Sequence, residues 1–76
     1  MDIRLTVHLN TIDDVKNFVK AANSIGTAVL AKSEDYTVDA KSIMGVFSLD
    51  LTKDIEVRCS NASDHELFDV FKPFMV

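Results

Sequence analysis

The chain has 76 residues, 47% of them hydrophobic and 26% charged, a length that supports one hydrophobic core and a composition that excludes a disordered tail. Its net charge is −4, and the 8 Lys and Arg are scattered from Arg4 to Lys72 without a basic stripe. That balance argues against nucleic acid and against an anionic membrane as partners, since both demand a basic surface, and leaves a protein partner as the expectation.

From Asp2 to Leu9 the apolar Ile3, Leu5, Val7 and Leu9 alternate with Asp2, Arg4, Thr6 and His8, the period of a half-buried strand. Thr11-Ile12-Asp13-Asp14 then reads as a capping box, in which the Thr11 hydroxyl accepts from the Asp14 amide and the carboxylate reaches back to the amide of Thr11. The helix it opens carries Val15, Phe18, Val19, Ala22 and Ile25 on one stripe, and Gly26 is expected to end it in the left-handed conformation.

Thr27 to Lys32 and Tyr36 to Ala40 read as two strands of a hairpin turning at Ser33-Glu34-Asp35. Beyond Lys41, Ile43, Met44, Val46, Phe47 and Leu49 suit a short helix that Ser42 caps by bonding amides of its first turn, with Gly45 weakening it. Ile55, Val57 and Cys59 alternate with Glu56, Arg58 and Ser60 as a fourth strand, which makes Cys59 a core residue rather than a reactive thiol. A single cysteine closes no intrachain disulfide, and no Cys/His cluster at zinc spacing accompanies it, so no metal and no cofactor are expected. Ser63-Asp64-His65-Glu66 repeats the capping pattern ahead of Leu67, Val70, Phe71 and Phe74, with Pro73 expected to finish or kink the last helix near Phe71 to Lys72.

The predicted order is β-α-β-β-α-β-α within one domain over residues 1–76. Its fold class is α+β, a mostly antiparallel four-stranded sheet with all helices on one face. No segment approaches the roughly 20 apolar residues that span a bilayer, and the N-terminus lacks a basic stretch followed by an apolar run, so a cytoplasmic location is expected.

Within this frame, Ala40-Lys41-Ser42-Ile43-Met44-Gly45-Val46-Phe47-Ser48-Leu49 closely resembles the segment of Gram-positive HPr proteins that holds their regulatory phosphorylatable serine. Phe18-Val19-Lys20-Ala21-Ala22-Asn23 is similar to the latter part of their first helix. HPr is the histidine-containing phosphocarrier of the sugar phosphotransferase system, an open-faced β-sandwich, and the element order matches it over essentially the whole chain. The resemblance implies a regulatory phosphorylation site at Ser42 and a partner-binding patch at Ile43, Met44 and Phe47. It implies as partners an HPr kinase and a catabolite-control transcriptional regulator.

The family's phosphate-accepting histidine starts the first helix in a pattern close to His-Ala-Arg-Pro-Ala. Counted back without a gap from the helix match, that stretch here is Thr11-Ile12-Asp13-Asp14-Val15, so Thr11 takes the histidine position and Asp13 the arginine position. Asp13 and Asp14 would repel an incoming dianion at a helix start that otherwise attracts phosphate. The expectation is therefore a non-catalytic, regulatory or vestigial HPr-like protein that acts by binding. The alternative is a genuine carrier using a non-standard residue, His8 or Thr11, although a threonine ester is too stable for a relay. A third reading keeps the fold with an unrelated binding role.

Neither histidine has a convincing catalytic setting in the sequence. His8 sits on the polar face of a strand and His65 in the first turn of the last helix, and both read as polar surface residues. Lys41 reads as solvated, with neutralisation of a phosphate on Ser42 as its second reading.

Overall fold

The computed structural model describes residues 2–60 and 64–76, with the backbone alone at 2, 64 and 65. Among these, the order is β1 (Asp2–Val7), α1 (Ile12–Asn23), β2 (Val29–Ser33), β3 (Tyr36–Asp39), α2 (Ile43–Phe47), β4 (Ile55–Ser60) and α3 (Asp64–Phe71), closed by a 3-10 turn at Lys72–Phe74. The proposed cap Ser63 lies outside the described residues, and so does the side chain of His65.

The strands form a sheet in the order β1-β4-β2-β3. Every pairing is antiparallel: Leu5 faces Val57, Val57 faces Ala31, and Ala31 faces Val38. β1 and β2 consequently run parallel with β4 between them, and so do β3 and β4 with β2 between them. Each such pair needs a crossover long enough to hold a helix, which α1 and α2 supply. Along β4, Ile55, Val57 and Cys59 point into the core while Glu56 and Arg58 face away from it. The outward face carries Arg4, Thr6, Lys32 and Thr37 as well, with the Arg58 Nε 2.8 Å from Glu56 Oε1.

The helices cover the other face. Phe18 of α1 is fully buried against Phe71 of α3, their rings 5.3 Å apart, and Phe74 meets it edge-on at 5.9 Å. Replacing such a phenylalanine by alanine costs about 3–5 kcal/mol, a large share of the margin of a chain this small. Pro73 ends α3 at Phe71 as expected, and the 3-10 turn that replaces it is what brings Phe74 onto Phe18. The C-terminal residues then cover the outer edge of β1, where the His8 amide donates to Phe74 O at 2.9 Å and the Val76 amide to Thr6 O at 3.2 Å. An open edge would otherwise invite pairing with another chain.

Four boundaries differ from the sequence expectation. β1 stops at Val7, opposite Ile55 where β4 begins, because beyond it no β4 residue remains to pair; Leu9 is still buried. β2 starts at Val29 rather than Thr27, whose hydroxyl instead lies 3.3 Å from the buried Cys59 sulfur. β3 closes at Asp39, and Ala40 is buried in the turn that follows, its amide donating to Val29 O at 2.9 Å. α1 ends at Asn23, capped by Ser24, and Gly26 does not take the left-handed conformation. The Ser24 hydroxyl and amide both donate to Ala21 O, at 2.6 and 3.1 Å, so a left-handed residue is not needed to satisfy that carbonyl. Among the described residues the positive φ, 55°, falls on Glu34 in the β2–β3 turn.

Candidate functional site

The start of α1 and the end of α2 meet at the surface, and their sequence explains the geometry. Thr11 has extended backbone and accepts from the Asp14 amide at 3.0 Å, while Asp14 Oδ2 accepts from the amides of Asn10 and Thr11 at 2.9 and 3.3 Å. The capping box expected from Thr11-Ile12-Asp13-Asp14 is therefore in place, with two acidic side chains in the first turn, where the helix dipole favours them. Ile12, beside the cap, is 63% exposed.

α2 is capped in the same manner. Ser42, half-buried, accepts from the Gly45 amide at 3.1 Å. Gly45 lets this short helix approach β3 closely, since a Cβ there would stand 3.3 Å from the Val38 Cβ. Val46 is the buried residue of α2. Ile43, Met44 and Phe47 face outward, Met44 at 78% and Phe47 at 41% exposure. Ile43, Met44 and Phe47, singled out together as a partner-binding patch, form an exposed apolar surface.

Lys41 is half-buried and its ammonium is engaged rather than solvated throughout. Its ammonium donates to Ile25 O at 2.7 Å, its amide donates to Asp39 Oδ1 at 2.9 Å, and its carbonyl accepts from Asn23 Nδ2 at 3.2 Å. The residue before Ser42 is tied at three points to β3 and to the end of α1.

Between the two helices lies a cleft of about 430 Å³. Thr11, Ile12 and Val15 line it from α1, Phe47 from α2, and Asp50 and Leu51 from the loop leading to β4. Asp50 Oδ1 accepts from the Thr52 hydroxyl at 2.6 Å and from the Thr52 amide at 3.1 Å. Those bonds hold the Asp50 carboxyl below the usual carboxylate range, with Lys53 contributing a smaller pull in the same direction.

His8 stands apart from this cleft, just after β1. It is 27% exposed, with Nδ1 3.0 Å from Asp54 Oδ1. The structure therefore brings Thr11 and Phe47 to one cleft and places Asp13 at the start of α1 beside it, with Ser42 at the far end of α2 and His8 elsewhere. Sequence reasoning missed Ile12 and Asp50 as parts of the site. An isoleucine inside a polar capping box was the available signal for the first; Asp50 had none, because its place depends on how the loop after α2 folds back.

An open-faced α+β domain with an exposed two-helix face is the class these observations define. The family model described as PTS HPr component, phosphorylation site, matches residues 14–75, and the chain belongs to that family, the HPr phosphocarrier proteins of the phosphotransferase system. A phosphocarrier protein HPr from Bacillus anthracis str. Ames is similar in structure, with a TM-score of 0.75, 20% identity, and coverage of 97% of this chain and 98% of that one. HPr-C-His from Thermoanaerobacter tengcongensis is similar with a TM-score of 0.64 and 24% identity, covering 95% and 83%. At those identities the two structures bear on the fold alone. No curated protein sequence matches.

Proposed function

We propose that this chain is a regulatory member of the phosphotransferase system that acts by binding proteins and does not carry phosphate itself. The observation that carries this reading is the occupied cap at the start of α1. At the position that the gapless count assigns to the family's histidine stands Thr11, whose hydroxyl accepts from the Asp14 amide at 3.0 Å. Asp13 and Asp14 fill the first turn with negative charge. Free amides and a dipole are what draw a phosphoryl group to a helix start; here a carboxylate already holds the Thr11 amide and two anions oppose the newcomer.

Regulation falls to Ser42, with Ile43, Met44 and Phe47 as the adjoining contact surface. A phosphate on Ser42 adds about 2 negative charges beside an exposed apolar patch, which changes partner affinity more than it changes the core. The partners are an HPr kinase and a catabolite-control transcriptional regulator, in the cytoplasm of a Gram-positive bacterium. Treatment with such a kinase and ATP, site mapping, and comparison of regulator binding by the two forms tests this. Phosphate on Ser42 with a change in affinity supports it; no phosphate on Ser42 despite full labelling of a control HPr, and no binding by either form, removes it.

The competing reading, a carrier that uses His8, draws on the contact with Asp54, which orients the ring when Nδ1 carries the proton and leaves Nε2 outward. A carboxylate at that distance repels a phosphoryl group instead of stabilising it, and His8 follows a strand and does not start a helix.

A further inference from the structure

We propose that the protein docking on the α1/α2 face presents a cationic segment whose apolar side chain enters the cleft between Ile12 and Phe47. The proposal deepens the binding role assigned above and rests on it. Its first support is the cleft itself. Ile12 and Phe47 stand exposed on either side of a lining that also includes Val15, Leu49 and Leu51. A concavity of about 430 Å³ with an apolar lining is suited to an anchoring side chain, since a few well-seated apolar or aromatic residues dominate most interfaces.

Charge selects the kind of partner. Asp50 lines the cleft, and Asp13 and Asp14 occupy the first turn of α1 beside it, while among the described residues no Lys or Arg lines it and Lys53, which acts on Asp50 from beside the cleft, is paired with Glu34. The nearest cation along α1 is Lys16, one turn on. Asp14 is occupied with the amides of Asn10 and Thr11, and Asp50 with the hydroxyl and amide of Thr52, so both carboxylates are held in place as acceptors. A fixed acidic rim around an apolar centre steers a basic partner toward the cleft and repels an acidic one, on a chain whose net charge is already −4.

The test uses two synthetic amphipathic peptides with identical Phe and Leu positions, one with a Lys/Arg polar face and one with a Glu polar face, titrated into the labelled full chain and followed by amide NMR shifts. The basic peptide is expected to shift Thr11, Ile12, Asp50 and Leu51, and to bind at least about tenfold more tightly than the acidic one. Its affinity should fall on raising salt from about 50 to about 300 mM. Phe47→Ser should weaken it by about tenfold or more, and Asp13→Asn with Asp50→Asn should flatten the salt dependence. Phe47, Asp13 and Asp50 are exposed, so the dispersed amide spectrum of each variant verifies folding. Equal affinity for both peptides, shifts confined to the open face of the sheet, indifference to Phe47→Ser, or occupation of the cleft by a second copy in sedimentation would each overturn the proposal. Failure here with Ser42 still phosphorylated and regulator binding still altered leaves the regulatory reading standing with a partner of other chemistry. Loss of the Ser42 response with the peptide result intact removes the switch and keeps the cationic partner.

Discussion

The Lys41 ammonium donates to the backbone carbonyl of Ile25 at 2.7 Å, so the residue that precedes Ser42 also holds the segment that follows α1. A charged donor on a carbonyl at the end of a helix is well placed against its dipole. Replacing it with methionine keeps the apolar stem and deletes the bond. Lys41→Met should lower stability by about 1 kcal/mol, read as a lower urea midpoint with an unchanged slope. An unchanged midpoint would mean that the bond does not persist in solution.

Thr11 should behave as a cap whatever its relation to phosphate. Thr11→Ala removes the acceptor for the Asp14 amide and should cost about 1 kcal/mol, whereas Thr11→Ser should be nearly neutral. Denaturation of the two variants side by side separates loss of the hydroxyl from any other effect at this position.

Ser33 is buried at the end of β2, and among the described residues its hydroxyl has no hydrogen-bond partner. Burying a hydroxyl without compensation is unfavourable. Ser33→Ala should therefore raise stability by about 1 kcal/mol, seen as a higher thermal midpoint. A loss of stability would show that the hydroxyl is paired after all.

The Asp50 carboxyl titrates below the ordinary carboxylate range, first because the Thr52 hydroxyl donates to it and then because the Thr52 amide does. A group whose folded pKa is depressed stabilises the fold above its unfolded pKa of about 4, and that contribution is lost as pH falls through the lowered folded value. Thr52→Val deletes the hydroxyl bond and keeps the amide one. It should move the Asp50 titration upward toward the ordinary value in an NMR carboxyl titration, and an unmoved Asp50 would show that the hydroxyl bond does not hold the carboxyl down.

Much of the fold was legible because periodicity reports burial directly. Alternation in Ile3, Leu5 and Val7 and in Ile55, Val57 and Cys59 gave strands whose inward residues are those predicted, and both the Thr11 and Ser42 caps formed as their residue types require. What was not legible depends on partners distant in the chain. β1 ends where β4 begins, which no local pattern around His8 announces. Ser24 displaced Gly26 as the helix end because a serine hydroxyl can satisfy a terminal carbonyl as well as a left-handed glycine lets a backbone amide do. At the site, the three residues that the resemblance marked, Ile43, Met44 and Phe47, are all exposed. The cleft did not follow, since it exists only where the start of α1 meets the loop after α2, and Lys41 found its acceptor on Ile25 for the same reason.

The central claim is that this family member binds and does not carry. Incubation with phosphoenolpyruvate and the general phosphotransferase Enzyme I, with mass spectrometry and a competent HPr as control, tests it most directly. The account predicts no acid-labile phosphate on this chain under conditions that label the control fully. Rapid acid-labile labelling that disappears in His8→Ala would contradict it and make His8, beside Asp54, the carrier.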